Sequence, residues 1–269
     1  MDDKTLKHLQ DVEFGILQDV DEFCKKHGVS YSLYAGTALG ALRHKGFIPW
    51  DDDVDVAMTR TEFDRFCALW VKNPPDGYYL ESILTDERCG ICHAKVRKEG
   101  TFFLSDGEIE SEGHHGIWVD IFPLDKVSLN KKKRAEKLRH GRELVFLTRA
   151  NVSNTRDDFK KRLVRRIFRI IPRAVRQKKI VEIHRWLVEH MEDGAEEGYV
   201  WAEMSTLKTM VTHSFSLNLE NRYVPVEFNG AQFPLFSEYE SMLTRLYGNY
   251  MQLPPESERI NHNPVKIKF

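Results

Sequence analysis

No stretch of this chain approaches the roughly 20 consecutive apolar residues that cross a bilayer. Its opening Met1-Asp2-Asp3-Lys4 is acidic and polar, which predicts neither a signal peptide nor a spanning helix. Cysteine is scarce: Cys24, Cys67, Cys89 and Cys92 in 269 residues do not form a disulfide framework, which points to a reducing cytosolic setting. Net charge is nearly absent at -1, which at first sight excludes a globally basic nucleic-acid binder. Internal repeats and low-complexity tracts are missing too. With 41% hydrophobic and 30% charged residues, the composition fits neither disorder nor a membrane-embedded class, and the length is ample for a buried core.

The balanced charge conceals a division. Between Leu129 and Ile180 there are 19 Lys+Arg and 4 Asp+Glu, a local net of +15, which leaves −16 for the remainder. The first 128 residues mix strand and helix patterns and predict an α/β or α+β core. Leu9, Val12, Ile16, Val20, Phe23 and Cys24 recur at helical spacing, and Lys25-Lys26-His27-Gly28 supplies a basic last turn and a terminating glycine. Next come a strand at Tyr31–Ala35, a turn at Gly36-Thr37, a short helix from Ala38 to His44 and a loop at Gly46–Trp50. A second strand follows at Val54–Met58, then a helix from Thr61 to Val71 opened by Thr61-Glu62-Phe63-Asp64 in capping-box form. Further strands are expected near Tyr79–Leu84, Ile91–Arg97, Thr101–Leu104 and Gly116–Phe122. Residues 129–200 read as a basic helical insertion, and 201–269 as a mixed segment that completes the active-site domain. Cys89-Gly-Ile-Cys92 has the spacing of half a zinc site, with His93, His114 and His115 nearby. The partner pair is missing, and buried thiols are the plainer expectation.

The densest chemical signal is Trp50-Asp51-Asp52-Asp53-Val54-Asp55-Val56. Alternation in an extended chain puts Asp53 and Asp55, and Asp51 if it too is extended, on one face, with the valines on the other. Carboxylates that close together repel one another unless a cation sits between them, and hard oxygen ligands suit Mg²⁺ or Mn²⁺. A solvated acidic turn or a calcium site are the alternatives. Gly36-Thr37, before a short helix, is placed to hold phosphate oxygens on backbone N–H groups, with Arg43 and Lys45 just beyond to offset charge. Asp120 interrupts the apolar run Gly116-Ile117-Trp118-Val119-Asp120-Ile121-Phe122. A buried carboxylate needs a partner, either a shared metal or a salt bridge.

The run from Tyr34 to Val56, with Ala35-Gly36-Thr37-Ala38-Leu39-Gly40 and Asp51-Asp52-Asp53-Val54-Asp55 at its two ends, resembles the LicD family signature. That family belongs to the nucleotidyltransferase-fold superfamily and is related to the fukutin-type sugar phosphotransferases. The likeness continues through Gly116 to Asp125 and returns in Tyr247-Gly248-Asn249-Tyr250-Met251, Pro254-Pro255-Glu256, Arg259 and His262. It implies a nucleotidyltransferase-like mixed sheet flanked by helices. It also implies a transferase that moves a phosphate-linked group, typically phosphocholine from CDP-choline with release of CMP, onto a sugar hydroxyl of a cell-surface glycan precursor carried on lipid; phosphoethanolamine and a polyol phosphate stay open as the group moved. By the same resemblance, Asp53, Asp55 and Asp120 are the catalytic and metal-binding acids, Asp51 the acid preceding them, and Gly36 and Thr37 the phosphate contacts. Arg43, Lys45, Arg259 and His262 are substrate-side candidates. A nucleotidyltransferase that releases diphosphate uses the same acids, and a non-catalytic basic adaptor would not need them. Tyr34, Trp50, Trp118 and Trp201 are available to a quaternary ammonium group, although core packing suits Trp118 better.

Phe159, Leu163, Val164, Ile167, Phe168 and Ile171 form one apolar face, with basic residues around the rest, until Pro172 interrupts. Residues 158–180 thus have the composition of an interfacial helix for an anionic membrane surface. A helix packed on the core with a solvated basic face is the structural alternative, and no nucleic acid is expected. Together these features predict a cytoplasmic protein, peripheral on the inner face of the membrane.

Overall fold

The apolar spacing at the start of the chain builds helix α1 (Asp3–His27). Asp2 caps it by accepting from the Thr5 N–H, and Gly28 ends it in the left-handed region. The computed structural model describes residues 1–216, 222–259, 261 and 264–269. After α1 come β1 (Ser32–Leu33), α2 (Ala35–His44), β2 (Asp55–Thr59), α3 (Arg60–Lys72), β3 (Tyr78–Glu81), β4 (Ala94–Lys98), β5 (Phe102–Leu104) and β6 (Trp118–Ser128). The basic segment forms α4 (Lys131–Arg149), α5 (Phe159–Ile170) and α6 (Arg173–Glu189). The chain returns through β7 (Tyr199–Glu203), α7 (Thr209–Thr212), β8 (Ser214–Phe215), β9 (Tyr223–Phe228), β10 (Ala231–Phe236), α8 (Tyr239–Tyr247) and β11 (Lys266–Lys268).

The main sheet runs β1-β2-β6-β4-β3, with β7 joined to β6 and β8 to β7. Among the described residues of this sheet, β2 and β6 pair in parallel and the other pairs are antiparallel. The mixed sheet flanked by helices is the α+β architecture that the sequence predicts. β6 is longer than expected because it changes partner along one edge, from β4 over Trp118–Ile121 to β7 over Leu124–Ser128. The Asp120 N–H donates to the Val54 carbonyl on the β2 side at 2.9 Å. By alternation, the N–H that Pro123 lacks falls on the opposite edge, in the interval between β4 and β7, where no ladder bond is lost.

Two cores flank this strand. The larger joins α1, α2 and α3 to the sheet and takes in Phe228, Leu235, Phe236, Met242 and Leu243 from the C-terminal elements. The second packs Leu144, Val145, Ile180, Ile183 and Leu187 of the basic helices against Val127, Ala202 and Cys92. Cys89 and Cys92 are buried there, Cys89 donating to the Ile91 carbonyl (3.3 Å) and Cys92 lying 3.2 Å from the Thr148 hydroxyl. Burial pushes the Cys92 thiol up to about 11 and the Cys89 thiol well above its ordinary value. His114 stacks on Tyr79 and His115 lies beside Phe102.

Three local expectations change. Gly36 and Thr37 are not a turn: α2 starts at Ala35, whose φ of 43° lets the helix begin directly from extended Tyr34. The capping box at Thr61 does not form. Thr59 is the N-cap residue and Thr61 is already helical, while the Glu62 carboxylate reaches out to the Ser30 N–H (2.8 Å). The apolar face of α5 divides, with Phe168 and Ile171 on the second core, Val164 half-buried, and Phe159, Leu163 and Ile167 in solvent.

Candidate active site

The parallel pairing of β2 with β6 sets Asp55 directly opposite Asp120, on strands that such sheets space about 4.8 Å apart. Ahead of β2 the alternation holds: Asp51, Asp53 and Asp55 are half-buried, whereas Asp52, Val54 and Val56 are fully buried. Two further bonds fix this strand end. The Tyr34 N–H donates to the Asp55 carbonyl (2.9 Å), and the Asp55 N–H donates to the Thr37 hydroxyl (2.8 Å). Burial, and then the charges of Asp53, Asp120, Asp51 and Glu203, push the Asp55 carboxyl well above the usual carboxylate range.

Asp120 has the opposite electrostatics. Lys95, its partner on β4, lies 3.0 and 3.1 Å from its two oxygens. His93 Nε2 is 2.9 Å away, and the Trp118 indole donates at 2.6 Å. Burial opposes ionisation of Asp120, but Lys95 and His93 outweigh it and hold the carboxyl below the usual range. The salt-bridge partner that the buried acid required is therefore present.

The start of α2 lies beside these acids. The Ala38 N–H bonds back to the Tyr34 carbonyl (3.0 Å), so the first-turn N–H groups, Gly36 and Thr37 among them, are the ones a helix leaves for an anion. A Cβ on Gly36 would stand 2.9 Å from Asp51 Oδ2, so only glycine lets this turn approach the acid so closely. Gly36→Ala should displace the Asp51 carboxylate without unfolding the protein, because a side chain rather than backbone must move. The expected result is about a hundredfold loss of kcat/KM at an unchanged thermal midpoint.

At its far end α2 meets the C-terminal part of the chain through cationic side chains. Arg43 donates from Nη1 to the carbonyls of Tyr250 (2.9 Å) and Gln252 (3.3 Å) and from Nε to His44 (2.9 Å). Arg259 lies 4.9 Å over the Trp50 ring and donates from Nε to the Pro254 carbonyl. Lys45 caps α2 in the left-handed region, and its ammonium is exposed. His262 lies outside the described residues. The Tyr247 phenol is raised above its ordinary value by burial and by Asp55, Asp51 and Asp53. Of the aromatic candidates, Tyr34, Trp118 and Trp201 are buried, and one face of half-buried Trp50 carries Arg259.

Sequence reasoning missed Glu13 and Glu203. Glu13 is 2% exposed on the apolar stripe of α1, and one of its carboxyl oxygens has no hydrogen-bond partner among the described residues. Burial and then Asp53, Asp52, Asp51 and Asp120 push it well above the usual range. Its signal was an acid four residues after Leu9 and three before Ile16, inside the core-facing register. Glu203 accepts from the Tyr34 hydroxyl (3.2 Å), and nothing in its local sequence marks it.

The family model described as "LicD/FKTN/FKRP, nucleotidyltransferase domain" matches residues 28–164. A lipopolysaccharide cholinephosphotransferase LicD of Haemophilus influenzae is 30% identical over 96% of both chains. The chain belongs to the LicD family. An uncharacterised protein of Rickettsia typhi shares 30% identity over 28% of this chain and 26% of its own length. The LicD match takes in Gly36, Thr37, the acids from Asp51 to Asp55 and Asp120, whereas Glu13, Glu203, Tyr247 and Arg259 lie outside it.

Carboxylates of this kind suit a divalent cation in donor chemistry and in charge. Burial, and then the neighbouring acids, raise Asp55 and Glu13 above the usual carboxylate range, and among the described residues one buried Glu13 oxygen has no hydrogen-bond partner. Among the described residues no group of three or more His, Cys, Asp or Glu side chains converges as a ready-made cage. Mg²⁺ does not require one, since it keeps several waters and takes one or two carboxylates plus substrate phosphates.

Proposed function

We propose that this LicD-family chain is a phosphocholine transferase that acts on a saccharide hydroxyl of a lipopolysaccharide-type glycan, with CDP-choline as donor and CMP as leaving product. The observation that carries the reading is the Asp55–Asp120 register beside the first turn of α2, which sets anionic and phosphate-binding elements against each other. The relative's activity and the match along nearly the whole chain support the substrate class.

Asp53 and Asp55 would hold Mg²⁺ or Mn²⁺, with Asp120 and Glu13 within the same field of charge. Once bound, the ion supplies charge neutralisation at the donor diphosphate. The N–H groups of Gly36 and Thr37 hold diphosphate oxygens on the axis of α2, and the Thr37 hydroxyl keeps one proton to donate while accepting from Asp55. Asp120, held below the usual carboxylate range by Lys95 and His93, would complete the metal site or accept the proton of the attacking sugar hydroxyl. Arg43 and Arg259 add positive charge on the donor side, and Arg43 does so while fixing the backbone of residues 250–252. Catalysis here is positioning and charge neutralisation, as in phosphoryl transfer generally.

The test is a donor screen with Mg²⁺ present, following CMP release and phosphocholine incorporation into a glycan acceptor. CDP-choline should be turned over, and CTP should yield no diphosphate. CTP-dependent diphosphate release would instead identify a nucleotidyltransferase, and inactivity with every CDP-linked donor would defeat the proposal.

A further inference from the structure

Helix α5 has no buried residue. Phe159, Leu163, Ile167 and Ile170 are 77%, 47%, 54% and 81% exposed, and at helical pitch they fall within one arc of the surface. The opposite side is fixed to the protein. Phe168 stacks on Phe146 with ring centroids 5.4 Å apart, Arg169 donates to the Ala150 carbonyl at 2.9 Å, and Arg165 bonds the Val152 carbonyl and the Asp157 carboxylate. The exposed stripe is thus held outward by a rigid backing. Exposed Lys160 borders it on one side, and Arg162 and Arg166 border it on the other. On that second flank lies a cavity of about 170 Å³, lined by Ser153, Asp157, Arg162, Arg165, Arg166 and Arg169.

We propose that α5 seats the protein on an anionic phospholipid bilayer. The Phe159–Ile170 stripe would enter the acyl boundary, and Lys160, Arg162 and Arg166 would lie at the level of the headgroup phosphates. An apolar arc between cationic margins matches a surface whose interior is hydrocarbon and whose rim is negative. A nucleic acid would use the cations and leave the apolar arc in water. A second copy docked face to face would oppose two helices that each carry six Lys/Arg and no acid. Among the described residues no helix is long and apolar enough to cross a membrane, so attachment through α5 is peripheral. The inference does not depend on the transferase reading, and vesicle binding is measured without substrate.

Flotation of the full chain decides it. Vesicles of phosphatidylcholine with about one-third phosphatidylglycerol should carry the protein upward at low salt, and vesicles of phosphatidylcholine alone should not. Leu163→Gln/Ile167→Gln and Lys160→Gln/Arg166→Gln should each lose flotation at an unchanged thermal midpoint, because these side chains are exposed. Arg165 and Arg169 are unsuitable for this test, since they anchor the helix. The four native cysteines are buried, so Ile167→Cys can be labelled selectively with an environment-sensitive fluorophore, which should shift to the blue on anionic vesicles. No flotation on anionic vesicles, flotation undiminished in both double variants, or an unshifted label would each overturn the proposal. A dimer in sedimentation that both double variants dissolve would overturn it too, by naming a second copy as the occupant.

Discussion

Asp55→Asn is expected to lower transfer about a thousandfold or more, the equivalent of the roughly 4 kcal/mol that a correctly held divalent ion contributes at developing phosphate charge. Asparagine keeps the backbone bonds that place this residue, from the Tyr34 N–H and to the Thr37 hydroxyl, so the loss reports the carboxylate alone. Metal-free, the variant should be no less stable than the parent, because it removes a carboxylate whose charged form burial and the neighbouring acids already disfavour. Mg²⁺ or Mn²⁺ should raise the thermal midpoint of the parent by mass action and leave that of Asp55→Asn nearly unmoved. Asp53→Asn should share the loss of activity. Full turnover by both variants would remove the acid pair from the mechanism.

The second large effect is on stability and lies outside the site. Arg60, at the start of α3, donates to both oxygens of Asp125 on β6 at 3.0 and 2.7 Å, and the two side chains are 3% and 0% exposed. Burial opposes the charge on Arg60, but Asp125 more than offsets it. Asp125→Ala strands a guanidinium in the interior and should cost about 3–5 kcal/mol, read as a lowered urea midpoint at an unchanged slope. Arg60→Met/Asp125→Leu should recover most of that loss, since paired buried charges and apolar groups of similar volume are close in energy. A double variant as unstable as the single one would show that the pair fixes the β6–α3 geometry as well as neutralising charge.

The acid face was legible because alternation survives outside regular strand: Asp51 and Asp53 precede β2, yet their exposure still alternates with Asp52 and Val54. Asp120 was legible because a charge inside an apolar run demands an explanation. Its partners were not, because Lys95 reaches it only through the β4–β6 register. Glu13 was hidden by its own context, an acid between Leu9 and Ile16 in a convincing amphipathic stripe. Gly36 and Thr37 read as a turn because glycine disfavours helices, and only the contact with Asp51 shows why glycine is tolerated in the first turn of α2. Arg43 was legible as a cation near an anion site, but its hold on the carbonyls of Tyr250 and Gln252 was not, because those residues lie more than 200 positions away. For α5 the apolar face was plain from periodicity, but whether such a face meets protein or solvent depends on the shape left by α4 and α6.

The site joins distant parts of the chain. Arg43 binds the carbonyl of a residue 207 positions later, and the Phe236 N–H reaches the Ser32 hydroxyl across 204. During synthesis at roughly 5–20 residues per second, the acid-bearing half therefore leaves the ribosome about 6–25 s before residues 250–252. In that interval the nascent chain exposes β1 and α2 without β10 or residues 250–252. A ribosome-stalled chain ending near β6 should accordingly carry every acid that the family motif names and yet have no donor-binding activity.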